Sequence, residues 1–185
     1  MNALLLIDIQ IDFLSDNGRM PVGAANAERV ISVANRMVAL FEERGWPIIV
    51  IYNQFKKSDV MGNFFRRYAA VEGSDGGRMD PRVLVHDARS FSKAKSSAFT
   101  NPDFCAYLKM TGIDHVVICG VYAEGCVRAT AFDAQRAGLD TVVLSDGVAS
   151  NRKPKYKWAL SHLRKRGVGI MPFEDYLRSL ACCDI

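Results

Sequence analysis

Residues 117–138 read VICGVYAEGCVRATAFDAQRAG. The first part is apolar and runs to Gly120. The second part places Val127, Ala131 and Ala134 at helical spacing and stops at Gly138. That pattern predicts a buried strand, a tight turn and a helix. Cys126 falls at the junction of turn and helix. There a thiol faces unpaired backbone N–H groups and the positive end of the helix dipole, and both favour the thiolate. A lone cysteine is more commonly a buried structural residue, so the assignment depends on what else converges on it.

Working outward, residues 3–7 are a short apolar run, a buried strand ending at Asp8. Asp12, Phe13 and the polar residues 15–19 read as the following loop. Residues 25–44 carry Val30, Ala34, Met37, Val38 and Phe41 at helical spacing, and Gly45 ends the helix. Residues 47–52 are rich in Ile and Val, a second strand. Residues 53–81 are long, polar and glycine-rich, and a loop of that length in a compact domain usually has a function. Residues 83–85 and 89–92 are weak strand candidates. Asn101 caps a helix through Thr111 that Gly112 terminates. Further strands are expected at 115–119, 141–144 and 167–171. The remaining helices are expected at 124–137, 154–166 and 173–180.

Strands alternating with helices predict a three-layer α/β/α domain over residues 1–185, with a mostly parallel six-stranded sheet of Rossmann-like form. In such sheets ligands bind beyond the carboxyl ends of the strands. Asp8, Lys93 and Cys126 all land in that zone, after three different strands. The convergence favours a chemical role for Cys126.

Composition excludes several classes. The apolar fraction is 49%, charged residues are 24% and the formal net charge is +4, which is ordinary for a globular domain and too weakly basic to argue for nucleic acid. The first residues, MNALLLIDIQ, have no basic lead and only a short apolar run, so neither a signal peptide nor a membrane span is expected. The five cysteines have no disulfide or zinc-ribbon spacing. Cys182 and Cys183, being adjacent, are poorly placed to bridge each other. A reducing, cytoplasmic setting is the expectation.

The chemistry follows from residue type. A carboxylate beside a thiol can take its proton, and an ammonium beside both stabilises the charges that result. Asp, Lys and Cys therefore form a nucleophilic set that needs no histidine. The three histidines, His86, His115 and His162, share no ligand-like spacing and read as structural or solvated. No G-x-S-x-G or H-x-x-x-H motif occurs. The turn Asp8-Ile9-Gln10-Ile11-Asp12 has no glycine, so it makes no phosphate cradle for a dinucleotide.

Four stretches, LLLIDIQIDF at 4–13, KAKSSAF at 93–99, GVYAEGCV at 120–127 and VVLSDGV at 142–148, occur in this order. In them the chain resembles the isochorismatase-like cysteine hydrolases, a superfamily that includes nicotinamidases and carbamoylsarcosine amidases. The resemblance implies Asp8 as general base, Lys93 as the lysine and Cys126 as the nucleophile, with Lys95 a competing lysine. It also implies a cis peptide between Val121 and Tyr122 that aims the Tyr122 N–H inward, to make an oxyanion hole with the Cys126 N–H. Where the family often has threonine, this chain has Ala123.

Nicotinamidases of the superfamily carry an Asp-x-His and further histidines after the second strand. Here Tyr52, Asn53, Gln54 and Phe55 stand there, and no histidine precedes His86. The expectation is therefore no metal, no cofactor, and a substrate other than nicotinamide. Gln10, Phe13, Asn53, Phe55 and Tyr122 are the candidate substrate-binding residues. Gln10 has a second reading, as a support for Asp8 or a cap of the turn. The function implied is acyl transfer on a small amide, carbamoyl or ureido molecule, with no nucleic-acid or membrane partner, in a homo-oligomer (dimer or tetramer). A vinyl-ether hydrolase of the isochorismate type and a non-catalytic thiol sensor stay open. The basic residues 152–166 read as a solvated helix face, an anionic-substrate rim or a subunit contact.

Overall fold

A computed structural model describes residues 1–183, with side chains through residue 181. The reading of the Cys182 and Cys183 thiols falls outside the described side chains. Strands β1 (Asn2–Ile7), β2 (Ile48–Asn53), β3 (Arg89–Lys93), β4 (His115–Val121), β5 (Asp140–Ala149) and β6 (Gly169–Met171) form one sheet. Its order is β3-β2-β1-β4-β5-β6, and every neighbouring pair is parallel.

Both faces of the sheet are covered, which explains why the central strands are uninterrupted apolar runs. Leu4 and Leu6 of β1 face a core shared with Val30, Ala34, Met37 and Phe41 of α2 (Ala24–Glu43) and with Phe173 and Tyr176 of α7 (Phe173–Cys183). Ala3, Leu5 and Ile7 face the opposite core. That core holds Phe104 and Leu108 of α4 (Pro102–Thr111), Ala131 and Ala134 of α5 (Arg128–Arg136), and Leu160 and Leu163 of α6 (Lys153–Lys165).

The strand order reverses direction between β1 and β4, and a crevice opens at such a switch point beyond the strand ends. Asp8 leaves β1 there and Cys126 follows β4. Gly120 makes their approach feasible. It pairs with Ile7 at φ +129°, and a Cβ on it would sit 1.9 Å from the Ile7 carbonyl oxygen. Only glycine lets the two backbones pass at that distance.

Several local expectations are corrected. Asp12 and Phe13, expected in a loop, lie in a short helix α1 (Ile11–Leu14). Residues 83–85 are not a strand, because the Arg82 backbone and guanidinium both bond to Asp80, which folds the segment into a turn. The segment 53–81 contains α3 (Val60–Phe65) and a 3-10 turn, Asp75–Gly77. The helix expected at 124–137 begins with a π-helical turn, Ala123–Val127, and α5 follows from Arg128. Strand β5 does not stop at Leu144. Its pairing with β4 slips between Ile118 and Gly120, which absorbs the polar Ser145-Asp146-Gly147 as a bulge before Val148 and Ala149 pair again. The strand expected at 167–171 is confined to Gly169–Met171.

Candidate active site

Each strand end delivers one side chain to the crevice. Asp8 ends β1 in the left-handed region, at φ +53°, which aspartate tolerates better than most residues. Its N–H donates to the Ile51 carbonyl at 2.8 Å, tying the turn to β2. Lys93 is the last residue of β3 and is buried. The next segment is fixed to the helix behind Cys126, since the Ala98 N–H donates to Thr130 Oγ1 at 3.1 Å. Cys126 lies in the π-helical turn and is half-buried.

Lys93 Nζ joins them. It donates to Asp8 Oδ2 at 2.9 Å, to Asn53 Oδ1 at 2.7 Å and to Cys126 Sγ at 3.2 Å. All three ammonium donors are thereby used. Asp8 Oδ1 is buried with no hydrogen bond, so a lone pair is left to receive a proton. Lys95, the competing lysine, is exposed, and the structure places Lys93 alone of the two in the crevice.

The electrostatics follow from burial. Removal from water pushes the Asp8 carboxyl above its usual range, while Lys93, Cys126 and the Asn53 backbone pull it back down. Burial works against the Lys93 charge, but Asp8 and Cys126 outweigh it and hold the ammonium protonated. Burial, then the Asp8 charge, push the Cys126 thiol up to about 12, against the pull of Lys93. The helix-end field is outweighed by loss of water and by a carboxylate beside the sulfur.

The backbone around the sulfur is distinctive. The Val121–Tyr122 peptide is cis. The Tyr122 carbonyl accepts from Gly125 N–H at 2.9 Å and Val127 N–H at 3.2 Å, passing over the Cys126 N–H between them.

The candidate substrate residues divide. Asn53 reaches the centre, with Nδ2 3.8 Å from Cys126 Sγ as well as its bond to Lys93. Gln10 does not contact the crevice as a ligand group. Its Nε2 donates to the Asn53 carbonyl at 2.9 Å and the Gly77 carbonyl at 2.6 Å, and its Oε1 accepts from Asn53 N–H at 2.9 Å. It braces Asn53, a support role in place of substrate binding, because both its donors are spent on backbone. Phe13 is buried and meets the Tyr122 ring edge-on at 5.9 Å, and the Tyr122 hydroxyl donates to the Met20 carbonyl. Phe55 is half-buried, with the Arg66 guanidinium 3.9 Å over its ring. A cavity of about 210 Å³ lies beside Asn53, between Tyr52 and the turn at 71–78. A larger one, about 660 Å³, is at the opposite end of the sheet around Trp46, Pro47 and Arg89.

Asp12, read from the sequence only as a loop residue, is buried and organises this rim. Its Oδ2 accepts from Ala70 N–H at 2.8 Å and its Oδ1 from Arg19 N–H at 3.2 Å. Gly76 packs on the carboxylate so closely that a Cβ would meet it at 2.2 Å. The D-F pair in the first motif was the available signal. The histidines lie elsewhere: His115 bonds Asp140, His86 faces Glu42, and His162 packs on Phe132 and Trp158. Among the described residues no group of three His, Cys, Asp or Glu is arranged to hold a metal ion. Asn53 at the end of β2 is an amide whose Oδ1 is engaged by Lys93 Nζ. Among the described residues no helix is long and apolar enough to cross a membrane.

Comparison with known proteins bears on this geometry. An isochorismatase-like hydrolase of Alkaliphilus metalliredigens superposes with a TM-score of 0.84 at 28% identity, covering 97% of each chain. The nicotinamidase/pyrazinamidase of Mycobacterium tuberculosis is 26% identical, over 92% of this chain and 98% of its own. A protein of Arabidopsis thaliana named a probable inactive nicotinamidase is 23% identical, over 97% of this chain and 96% of its own. The isochorismatase domain family matches residues 2–175. With that match spanning nearly the whole sequence, the chain belongs to the isochorismatase family, which includes hydrolases of carbon–nitrogen bonds.

Proposed function

We propose that the protein is a metal-independent hydrolase that cleaves the C–N bond of a small amide, carbamoyl or ureido substrate through a thioester on Cys126. The observation that carries this reading is one ammonium, Lys93 Nζ, bonded at once to Asp8 and to the Cys126 sulfur.

The reaction begins with the thiol protonated and Asp8 ionised. Transfer of the thiol proton to Asp8 is uphill, because the thiol sits near 12, so it accompanies attack of sulfur on the carbonyl carbon. The oxyanion that forms is received by the N–H groups of Tyr122 and Cys126, each donor contributing about 3 kcal/mol. Asp8 gives its proton to the departing nitrogen as the C–N bond breaks, leaving the acyl group on sulfur. Water then attacks the thioester, Asp8 takes a proton from it, and collapse expels the Cys126 thiolate, which recovers that proton from Asp8. Lys93 stays protonated throughout and offsets the negative charge shared by Asp8 and sulfur.

A thiol sensor is less well supported. Sensing does not require a buried carboxylate and ammonium around the sulfur, whereas acyl transfer uses both. The test is ammonia release from a panel of primary amides, carbamoyl compounds and ureido acids. Wild-type protein is expected to hydrolyse at least one of them and Cys126→Ala none. Equal release by the two proteins would dismiss the proposal.

A further inference from the structure

A second cavity, of about 510 Å³, lies where α2, the end of β5 and the start of α6 meet, and Arg29, Asp146, Lys153, Tyr156 and Lys157 are among its lining residues. We infer that it binds the phosphoryl group of a small phosphate-bearing anion. Nothing in this inference rests on the chemistry at Cys126.

The lining carries an excess of positive charge, with Arg29, Lys153 and Lys157 set against Asp146. Arg29 is held in place by backbone oxygens: it donates to the Val148 carbonyl at 3.1 Å and to the Asp146 carbonyl, and its guanidinium lies 5.9 Å from the centre of the Tyr156 ring. Carbonyls fix its position but leave its charge intact. Lys153 and Lys157 make no ion pair among the described residues, whereas Lys155, between them in sequence, pairs with Glu124 at 3.5 Å. The one carboxylate of the lining, Asp146, accepts from Phe173 N–H through both oxygens, at 3.0 and 3.1 Å, which fixes its place and leaves one negative charge among the three cations.

Two of the neutral donors are committed. The Tyr156 hydroxyl donates to the Ser145 carbonyl at 2.6 Å, and the Ser150 hydroxyl donates to Glu124. What the cavity offers a ligand is therefore three cations against one carboxylate, with the Ser145 hydroxyl beside them, a surplus of positive charge that suits a dianion better than a single carboxylate. The start of α6 adds to the same field. It has no acidic residue in its first turn and no side-chain cap, yet Arg152, Lys153, Lys155 and Lys157 crowd the positive end of its dipole. Helices normally place acids there, so a bound anion would relieve a repulsion the fold otherwise carries.

The experiment is calorimetric titration of the full-length protein with inorganic phosphate and with ribose 5-phosphate at constant ionic strength. Saturable one-to-one binding is expected, with the two probes competing. Tighter binding of ribose 5-phosphate identifies a phosphate ester as the occupant, and equal or weaker binding identifies the free ion. Lys153→Gln/Lys157→Gln is expected to weaken binding at least tenfold. Lys109→Gln/Lys165→Gln, which removes the same charge at the ends of α4 and α6 away from the cavity, is expected to leave it unchanged. Lys157→Gln alone replaces the first pair if that variant does not fold. Absence of saturable binding by the wild-type protein, failure of the probes to compete, or equal weakening in both double variants would overturn the inference.

Discussion

Replacing Lys93 by methionine probes the centre without knowledge of any substrate. The side chains of Lys93 and Asp8 are 0% and 2% exposed, with Nζ 2.9 Å from Oδ2. At an effective dielectric constant of about 20, unit charges that close attract by about 6 kcal/mol. Much of that is offset by the cost of taking both ions out of water. Removing one partner is costlier than the pair was helpful, because the survivor stays buried and unpaired, a loss of about 3–5 kcal/mol. Lys93→Met is therefore expected to lose about 4 kcal/mol of folding stability at pH 8.

The loss must depend on pH, and its direction is fixed. Burial raises the folded-state pKa of Asp8, and Lys93 opposes that rise. Without the lysine the value climbs further. A raised folded-state pKa contributes stability that is complete below the unfolded-state value and is lost as pH increases through the folded-state value. The gap between variant and wild type should thus be small in acid, where Asp8 is neutral, and widen toward pH 8. Urea unfolding followed by tryptophan fluorescence across that range measures it. Asp8→Asn added to Lys93→Met removes the stranded charge and is expected to recover about half of the loss. A loss below about 1 kcal/mol, a loss independent of pH, or no recovery in the double variant would refute the buried pair.

Other perturbations address other parts of the account. Because burial lifts the Asp8 carboxyl, the acid limb of kcat/KM on any amide found in the screen should lie above the ordinary carboxylate range; a limb within or below that range would contradict Asp8 as the base. With the Cys126 thiol pushed up to about 12, its alkylation by iodoacetamide, mapped to the Cys126 peptide, should keep rising with pH through the alkaline range, and a plateau beginning near neutrality would reveal a resting thiolate. Gly76→Ala should force the turn off the Asp12 carboxylate, at a cost of about 1–3 kcal/mol, and open the segment 66–78 to limited proteolysis, whereas unchanged proteolysis would show that the contact is dispensable.

The sheet and the three side chains that meet in the crevice were legible because each depends on local pattern. Gly45, Gly112 and Gly138 mark where helices stop, Asp8 and Cys126 follow apolar runs, and Lys93, after a weak polar strand, stood out through the KAKSSAF stretch. What lay hidden depends on contacts between distant segments. The brace from Gln10 to Asn53 requires β1 and β2 to be in register, and an amide looks the same in sequence whether it faces backbone or ligand. The continuation of β5 past Ser145-Asp146-Gly147 rests on a slip against β4, while those residues by themselves signal a turn. The elevated thiol pKa comes from burial and from a carboxylate supplied by another strand, neither of which is written near Cys126.

Intact-protein mass spectrometry during turnover of an amide drawn from the screen bears most directly on the sulfur's role. An adduct equal to the acyl part of that amide should appear on wild-type protein, map to the peptide containing Cys126, and be missing from Cys126→Ala. Steady hydrolysis by Cys126→Ala, or turnover by wild type with the acyl group attached to some other residue, would show that the bond is broken by a different nucleophile.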